Sequence, residues 1–150
     1  MACNRCYQKS ALDTYTNVST TLVSGATLPL NVNYIHTGNS ISHTAGSGTI
    51  NLVKGGLYAI SISATVAESG TAGNVSFQLY RNGIAVPAAI ATVTSETTTD
   101  LETIGFTKLI RVDDVCCCAG NGQDAIPLTF INTGVGATYT NIQVTVVKLA

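Results

Sequence analysis

The feature that most constrains this chain is a two-residue hydrophobic period that recurs between closely spaced turn signals. In residues 57–66, Tyr58, Ile60, Ile62, Ala64 and Val66 fall on one side of an extended backbone, and Ala59, Ser61, Ser63 and Thr65 on the other. Val75, Phe77 and Leu79 alternate in the same way with Ser76, Gln78 and Tyr80, and the sets Ile126, Leu128, Phe130 and Ile142, Val144, Val146 repeat the pattern. Between these runs stand Gly46-Ser47-Gly48, Lys54-Gly55-Gly56, residues 70–73, Asn82-Gly83, Asn121-Gly122 and Asn132-Thr133-Gly134. Short alternating strands with such punctuation predict an all-β sandwich or barrel. Asn82-Gly83 predicts a tight hairpin, because both residues tolerate positive φ. No helical stripe longer than a turn or two is present.

Composition narrows the function. The chain has 150 residues, enough for one domain with a substantial core. Threonine occurs 22 times, and its β-branched side chain suits a pleated surface. Only 10% of residues are charged while 45% are hydrophobic, which is the reverse of a disordered chain. A net charge of −1 with 7 basic residues lacks the electrostatic footprint of a nucleic-acid binder. So little charge predicts that much of the surface meets another protein subunit rather than bulk water.

Residues 1–19 are polar, carry two cysteines and show no sustained alternation, so they are expected to form an arm or connector ahead of a β domain spanning 20–150. The first ten residues hold no apolar core of the kind a secretory leader has. The most apolar stretch, 83–93, is short and contains Pro87, so no membrane insertion is expected.

Four segments, in order, carry a family likeness. Lys54-Gly55-Gly56-Leu57-Tyr58-Ala59-Ile60 resembles the G-x-Y strand of the C1q/TNF-like jelly-roll family. Val75-Ser76-Phe77-Gln78-Leu79-Tyr80-Arg81-Asn82-Gly83 is similar to the next strand and its turn. Leu109-Ile110-Arg111-Val112-Asp113-Asp114-Val115 sits where that family ends a strand in a polar turn, and 137–149 resembles its closing strand. The nearest flavour is that of C-terminal domains of collagen-like exosporium glycoproteins (BclA type), spore-appendage subunits and phage fibres. The resemblance implies a jelly roll of about ten strands that forms a homotrimer, with 57–66, 102–112 and 139–149 in the sheet facing the three-fold axis. Tyr58, Ile60, Ile62, Val144 and Val146 are the expected core or trimer residues of those strands. A Gly-X-Y stalk is missing, and the cysteine-bearing arm stands in its place.

Cysteine is the remaining chemical signal. Cys3 and Cys6 form a Cys-x-x-Cys, and Cys116, Cys117 and Cys118 are consecutive. Five is odd, which points to intermolecular pairing or a free thiol. A redox role would need this motif to open a helix, which an arm before an all-β domain does not offer. Three readings stay open: disulfides between the arm of one subunit and the triplet of the next, a tetrahedral zinc site drawn from the same two groups, or buried thiols. His36 and His43 lack a nearby carboxylate in sequence; Glu68, Glu96 and Glu102 are isolated; Asp113-Asp114 offers too few oxygens for calcium. No catalytic constellation is found, and apart from that zinc alternative no cofactor or metal is expected. The sequence predicts a non-enzymatic structural subunit whose partner is itself: a trimer stacked head to tail into an extracellular fibre on a bacterial spore surface, with an anchoring or tip protein as a further candidate partner. The rival is a virion decoration or glycan- or receptor-binding head.

Overall fold

The computed structural model describes residues 9–113 and 125–150. Within them lie eleven strands: β1 (Ala11–Thr16), β2 (Thr20–Leu22), β3 (Val32–Thr37), β4 (Ile41–His43), β5 (Ile50–Leu52), β6 (Gly56–Glu68), β7 (Gly73–Arg81), β8 (Ile84–Ser95), β9 (Glu102–Val112), β10 (Ile126–Asn132) and β11 (Ala137–Lys148). They form two antiparallel sheets, packed face to face as a jelly roll. One runs β3-β1-β11-β6-β9, with β2 pairing the start of β11, and the other runs β4-β5-β10-β7-β8. First and last strands are neighbours, and most connections cross from one sheet to the other.

The alternation seen in sequence is the alternation of burial. Tyr58, Ile60, Val66, Val144 and Val146 are fully buried, and Ile62, Ala64 and Ile142 nearly so. The second sheet answers with Phe77, Leu79, Leu128, Phe130, Ile50 and Leu52, all inaccessible. Each such side chain contributes roughly 1.5–3 kcal/mol by leaving water. Aromatic rings join the layers. Phe106 of β9 lies 6.0 Å from Phe77 and 6.3 Å from Phe130, and Tyr139 lies 6.3 Å from Phe77. These tilted pairs span the gap between two sheets about 10 Å apart.

The hairpin predicted at Asn82-Gly83 is present. Asn82 has φ 51° and Gly83 φ 75°, the left-handed values that a two-residue turn between β7 and β8 requires. Further along the same hairpin the register breaks. Gln78 opposes Ile90 while Tyr80 opposes Ala85, so Leu79 faces four residues of β8. Pro87 and Ala88, with φ 58°, sit in that bulge on an edge strand, where a missing N–H costs no ladder bond.

The expected boundary between an arm ending at 19 and a domain starting at 20 needs correction. Ala11–Thr16 is an interior strand, paired with β11 from Ala11↔Val147 to Thr16↔Ile142 and with β3 on its other side. Its alternation is hidden because threonine occupies two inward positions. Leu12, Thr14 and Thr16 are all buried. The hydroxyls are satisfied by backbone: Thr14 Oγ1 donates to the Val32 carbonyl (2.9 Å) and Thr16 Oγ1 to that of Pro29 (2.7 Å), while Asn31 N donates to Thr16 Oγ1 (3.0 Å). Ser10 is buried as well, accepting from Ser40 N at 3.0 Å. A polar side chain belongs inside once its hydrogen bonds are supplied there.

Candidate functional site

The strands expected at 57–66, 102–112 and 139–149 are β6, β9 and β11, three neighbours in one sheet. Tyr58, Ile60, Ile62, Val144 and Val146 all turn into the sandwich, where they build the monomer's own core. The surface available for contact is therefore the opposite face of the same strands. It presents Leu57, Ala59, Ser61, Ser63 and Thr65 from β6, Thr103, Gly105, Thr107, Leu109 and Arg111 from β9, and Asn141, Gln143, Thr145 and Val147 from β11. From β1 come Ala11, Asp13 and Tyr15, and the edge strand β3 adds the exposed Val32, Tyr34 and Ile35.

The distribution of charge gives this face its character. Among the described residues, Lys9 lies ahead of β1, Lys54, Glu96, Asp100 and Asp113 lie between strands, and Glu68, Arg81, Glu102 and Lys148 terminate them. Only Asp13, Lys108 and Arg111 stand within strands, and Lys108 is on the core side of β9 beside Ile60. An inward-turned lysine on an edge strand discourages further strands from pairing there. Asp13 and Arg111 are the two charges on the outward face, three strands apart. Arg111 pairs with Asp113 at 3.4 Å, both side chains being largely exposed, so screening by water leaves that pair little weight.

Rows of small hydroxyl side chains cross the face in register. Thr107 opposes Ser61, which opposes Thr145, which opposes Asp13. Thr65 and Thr103 share a hydrogen bond at 3.0 Å. Gly105 opposes Ser63, and a Cβ there would collide with the Ile62 carbonyl, so a close approach of β9 to β6 requires glycine. The result is a nearly uncharged platform of five neighbouring strands.

The other candidate residues occupy structural places. His43 is buried at the end of β4, between the start of β3 and the loop that follows β4. Its Nδ1 lies 2.5 Å from Asn33 Oδ1 and its Nε2 2.8 Å from the Ser47 carbonyl, while Asn33 Nδ2 donates to the His43 carbonyl at 3.2 Å. His36 Nε2 is 2.9 Å from the Ile41 carbonyl. Both histidines thus hold local backbone around β3 and β4. Glu68 is buried, its carboxylate accepting from Gly70 N, which closes the turn after β6. Asn132, read in the sequence only as part of a turn signal, holds three segments. Its Nδ2 donates to the carbonyls of Leu22 and Val23 (3.2 Å each) and Val135 (3.1 Å), and its Oδ1 accepts from Tyr139 Oη at 3.2 Å. Burial pushes the Tyr139 phenol well above its ordinary pKa.

Cys3, Cys6, Cys116, Cys117, Cys118 and Asp114 lie outside the described residues. Among the described residues no group of three or more histidine, cysteine or acidic side chains is assembled, and no helix is long and apolar enough to cross a membrane. A shallow apolar hollow of about 330 Å³ is lined by Arg81, Asn82, Ile84, Ala85, Val86, Pro87 and Ile110. Arg81, its one titratable side chain, donates from Nη1 to the Arg111 carbonyl at 3.0 Å.

No protein-family model matches the sequence, and no curated protein does. Solved structures do match the fold. Similar to this chain are the globular domain of zebrafish complement 1qA (TM-score 0.63, 7% identity, 91% of this chain and 94% of that one) and murine APRIL (0.65, 10%, 95% and 100%). The PRD1 vertex protein P5 is similar as well (0.55, 17%, 94% and 97%). Strand order, burial pattern and these likenesses together give the chain a jelly-roll fold like that of the C1q and TNF-type structures.

Proposed function

We propose that the protein is a structural, non-enzymatic subunit that self-associates as a homotrimer through the outward face of its six-stranded sheet. The observation that carries this reading is the platform itself: five neighbouring strands present a broad surface bearing two charges and many small hydroxyl and apolar side chains. Monomeric soluble proteins keep such surfaces small or charged. In the reading, trimers then stack head to tail into an extracellular fibre, with residues ahead of β1 reaching the next trimer. Head-to-tail contacts that do not close generate filaments. Cys3 and Cys6 of one subunit and Cys116, Cys117 or Cys118 of the next supply the cross-links, and a bacterial spore surface is the setting.

The likeness to the PRD1 vertex protein supports a second setting, in which the same trimer is a virion spike or decoration. Native mass spectrometry and electron microscopy of the oxidised protein at micromolar concentration separate the readings. Stacked trimers that resist boiling in detergent and fall to monomer with reductant support the cross-linked fibre. In that case Cys3→Ser with Cys6→Ser keeps the trimer and abolishes the covalent ladder. Discrete trimers alone favour the spike, and a monomer overturns both.

A further inference from the structure

We infer that the apolar hollow at the start of β8 is a socket for Leu101 of a second copy of this chain, whose acidic β8–β9 loop then meets the basic end of the first. It rests on the head-to-tail reading above, for which it supplies the contact. The charges of the described residues are sorted along the strands. Gly56 of β6 pairs with Val112 of β9, and Lys148 of β11 with Tyr58, so these termini share one end of the sandwich. Lys148 N donates to the carbonyl of Ser10, beside Lys9, and Tyr58 Oη donates to that of Lys54. Arg81 Nη1 donates to the Arg111 carbonyl at the same end. Lys9, Lys54, Arg81 and Lys148 therefore gather there, while Arg111 and Asp113 offset each other. At the other end Glu68 opposes Ala137 and Glu102 opposes Val66, with Glu96 and Asp100 in the loop that joins β8 to β9. Glu68 is buried in its turn, and Glu96 and Glu102 are exposed. Four positive charges stand at one end and four negative at the other, with Asp13 and Lys108 between. Asp114 and Asp124 lie outside the described residues; counted at the basic end, they would still leave it two charges positive.

The two ends also match in shape. The hollow lies at the basic end, between Arg81, Ile84, Ala85, Val86, Pro87 and Ile110, and Ile84 at its rim is 73% exposed. Arg81 spends one of its five N–H donors on a carbonyl, which leaves its positive charge uncompensated. At the acidic end Leu101 stands 56% exposed between Asp100 and Glu102. An exposed leucine is ordinary by itself. One flanked by carboxylates, matched by an apolar hollow beside a guanidinium, has the apolar anchor and charged rim of an interface. The strands relate the two features. The hollow sits at the start of β8 and the end of β9, and the Leu101 loop at the end of β8 and the start of β9. A second copy displaced along these strands by about 36 Å, eleven residues at roughly 3.3 Å each, brings its Leu101 loop over the hollow. The contact joins two different surfaces of one chain, so it can repeat without closing.

The test uses the full chain, kept reduced so that the cysteines do not hold the assembly. Electron microscopy and sedimentation find the concentration at which stacks appear, and native mass spectrometry and thermal melts check that each variant keeps the wild-type trimer and fold. Leu101→Ser removes the anchor from an exposed loop, and Ala85→Phe fills the hollow. Each is expected to raise that concentration at least about tenfold. Arg81→Glu does the same, and Arg81→Glu combined with Glu102→Arg returns it to within about threefold of wild type. Added salt disperses the wild-type stacks. Leu101→Ser, Ala85→Phe and Arg81→Glu that all stack at the wild-type concentration overturn the inference while leaving head-to-tail stacking intact. Wild-type stacks that vanish with reductant do so too, since the cysteines alone then hold them. A wild-type protein that forms no stacks in either redox state removes the stacking itself.

Discussion

The two sheets of this molecule solve the same packing problem by different means. In the six-stranded sheet the strands are long and their pairing nearly unbroken: β6 matches β9 from Gly56↔Val112 to Val66↔Glu102, and β11 from Lys148↔Tyr58 to Glu68↔Ala137 with one irregularity. Its inward side chains are mainly aliphatic. The five-stranded sheet has three-residue strands at one side, where β4 meets β5 and β5 meets β10, and a four-residue bulge at the other. It depends on Phe77 and Phe130 to reach across to Phe106 and Tyr139. The difference teaches a division of labour. Continuous pairing makes one long regular plane, the face we propose for self-association, whereas the irregular sheet closes the core with large rings and leaves its edges to turns.

The sharpest way to break this comparison uses adjacent residues of β6. Ile62 points into the core and Ser63 onto the platform. Ile62→Asp, like Val146→Asp, buries an unpaired charge and is expected to cost more than about 4 kcal/mol, leaving no soluble folded protein. Ser63→Asp is expected to fold within about 0.5 kcal/mol of wild type and to remain monomeric by size-exclusion chromatography. Folded Ile62→Asp would show that the two faces of β6 have been exchanged.

A smaller effect probes the aromatic bridge. Phe77→Ala removes a fully buried ring from the five-stranded sheet and is expected to lose about 3–5 kcal/mol in urea unfolding. A loss below 1 kcal/mol would mean that the rings are not what holds this sheet to the platform.

The smallest effect is a pH dependence at the junction of the sheets. Burial raises the Tyr139 pKa above the ordinary 10.0, so the folded state holds that proton where the unfolded state has released it. Stability from this group is complete below pH 10 and declines as pH rises above it, by about 1.4 kcal/mol per unit while the native phenol stays protonated. Tyr139→Phe is expected to be less stable near neutrality, having lost the bond to Asn132, and to show a shallower alkaline decline. Parallel curves for the two proteins above pH 10 would contradict the assignment.

Much of this architecture was legible beforehand. The inward faces of β6, β7, β10 and β11 and the turn at Asn82-Gly83 follow from local rules: successive side chains alternate, and only certain residues accept positive φ. The likeness to C1q/TNF jelly rolls placed β6, β9 and β11 in one sheet. Ala11–Thr16 escaped the same reading because Thr14 and Thr16 look polar in sequence, and the carbonyls that make them buried residues belong to Pro29 and Val32, brought near only by the fold. Asn132 and Asp13 were hidden for the same reason, one bonded to segments distant in sequence and the other isolated from donors by its neighbours. Hydrophobic periodicity is a property of consecutive residues, so the chain alone determined which strand faces are apolar. Whether a polar side chain is satisfied or stranded depends on atoms dozens of residues away, and only the tertiary structure decided that.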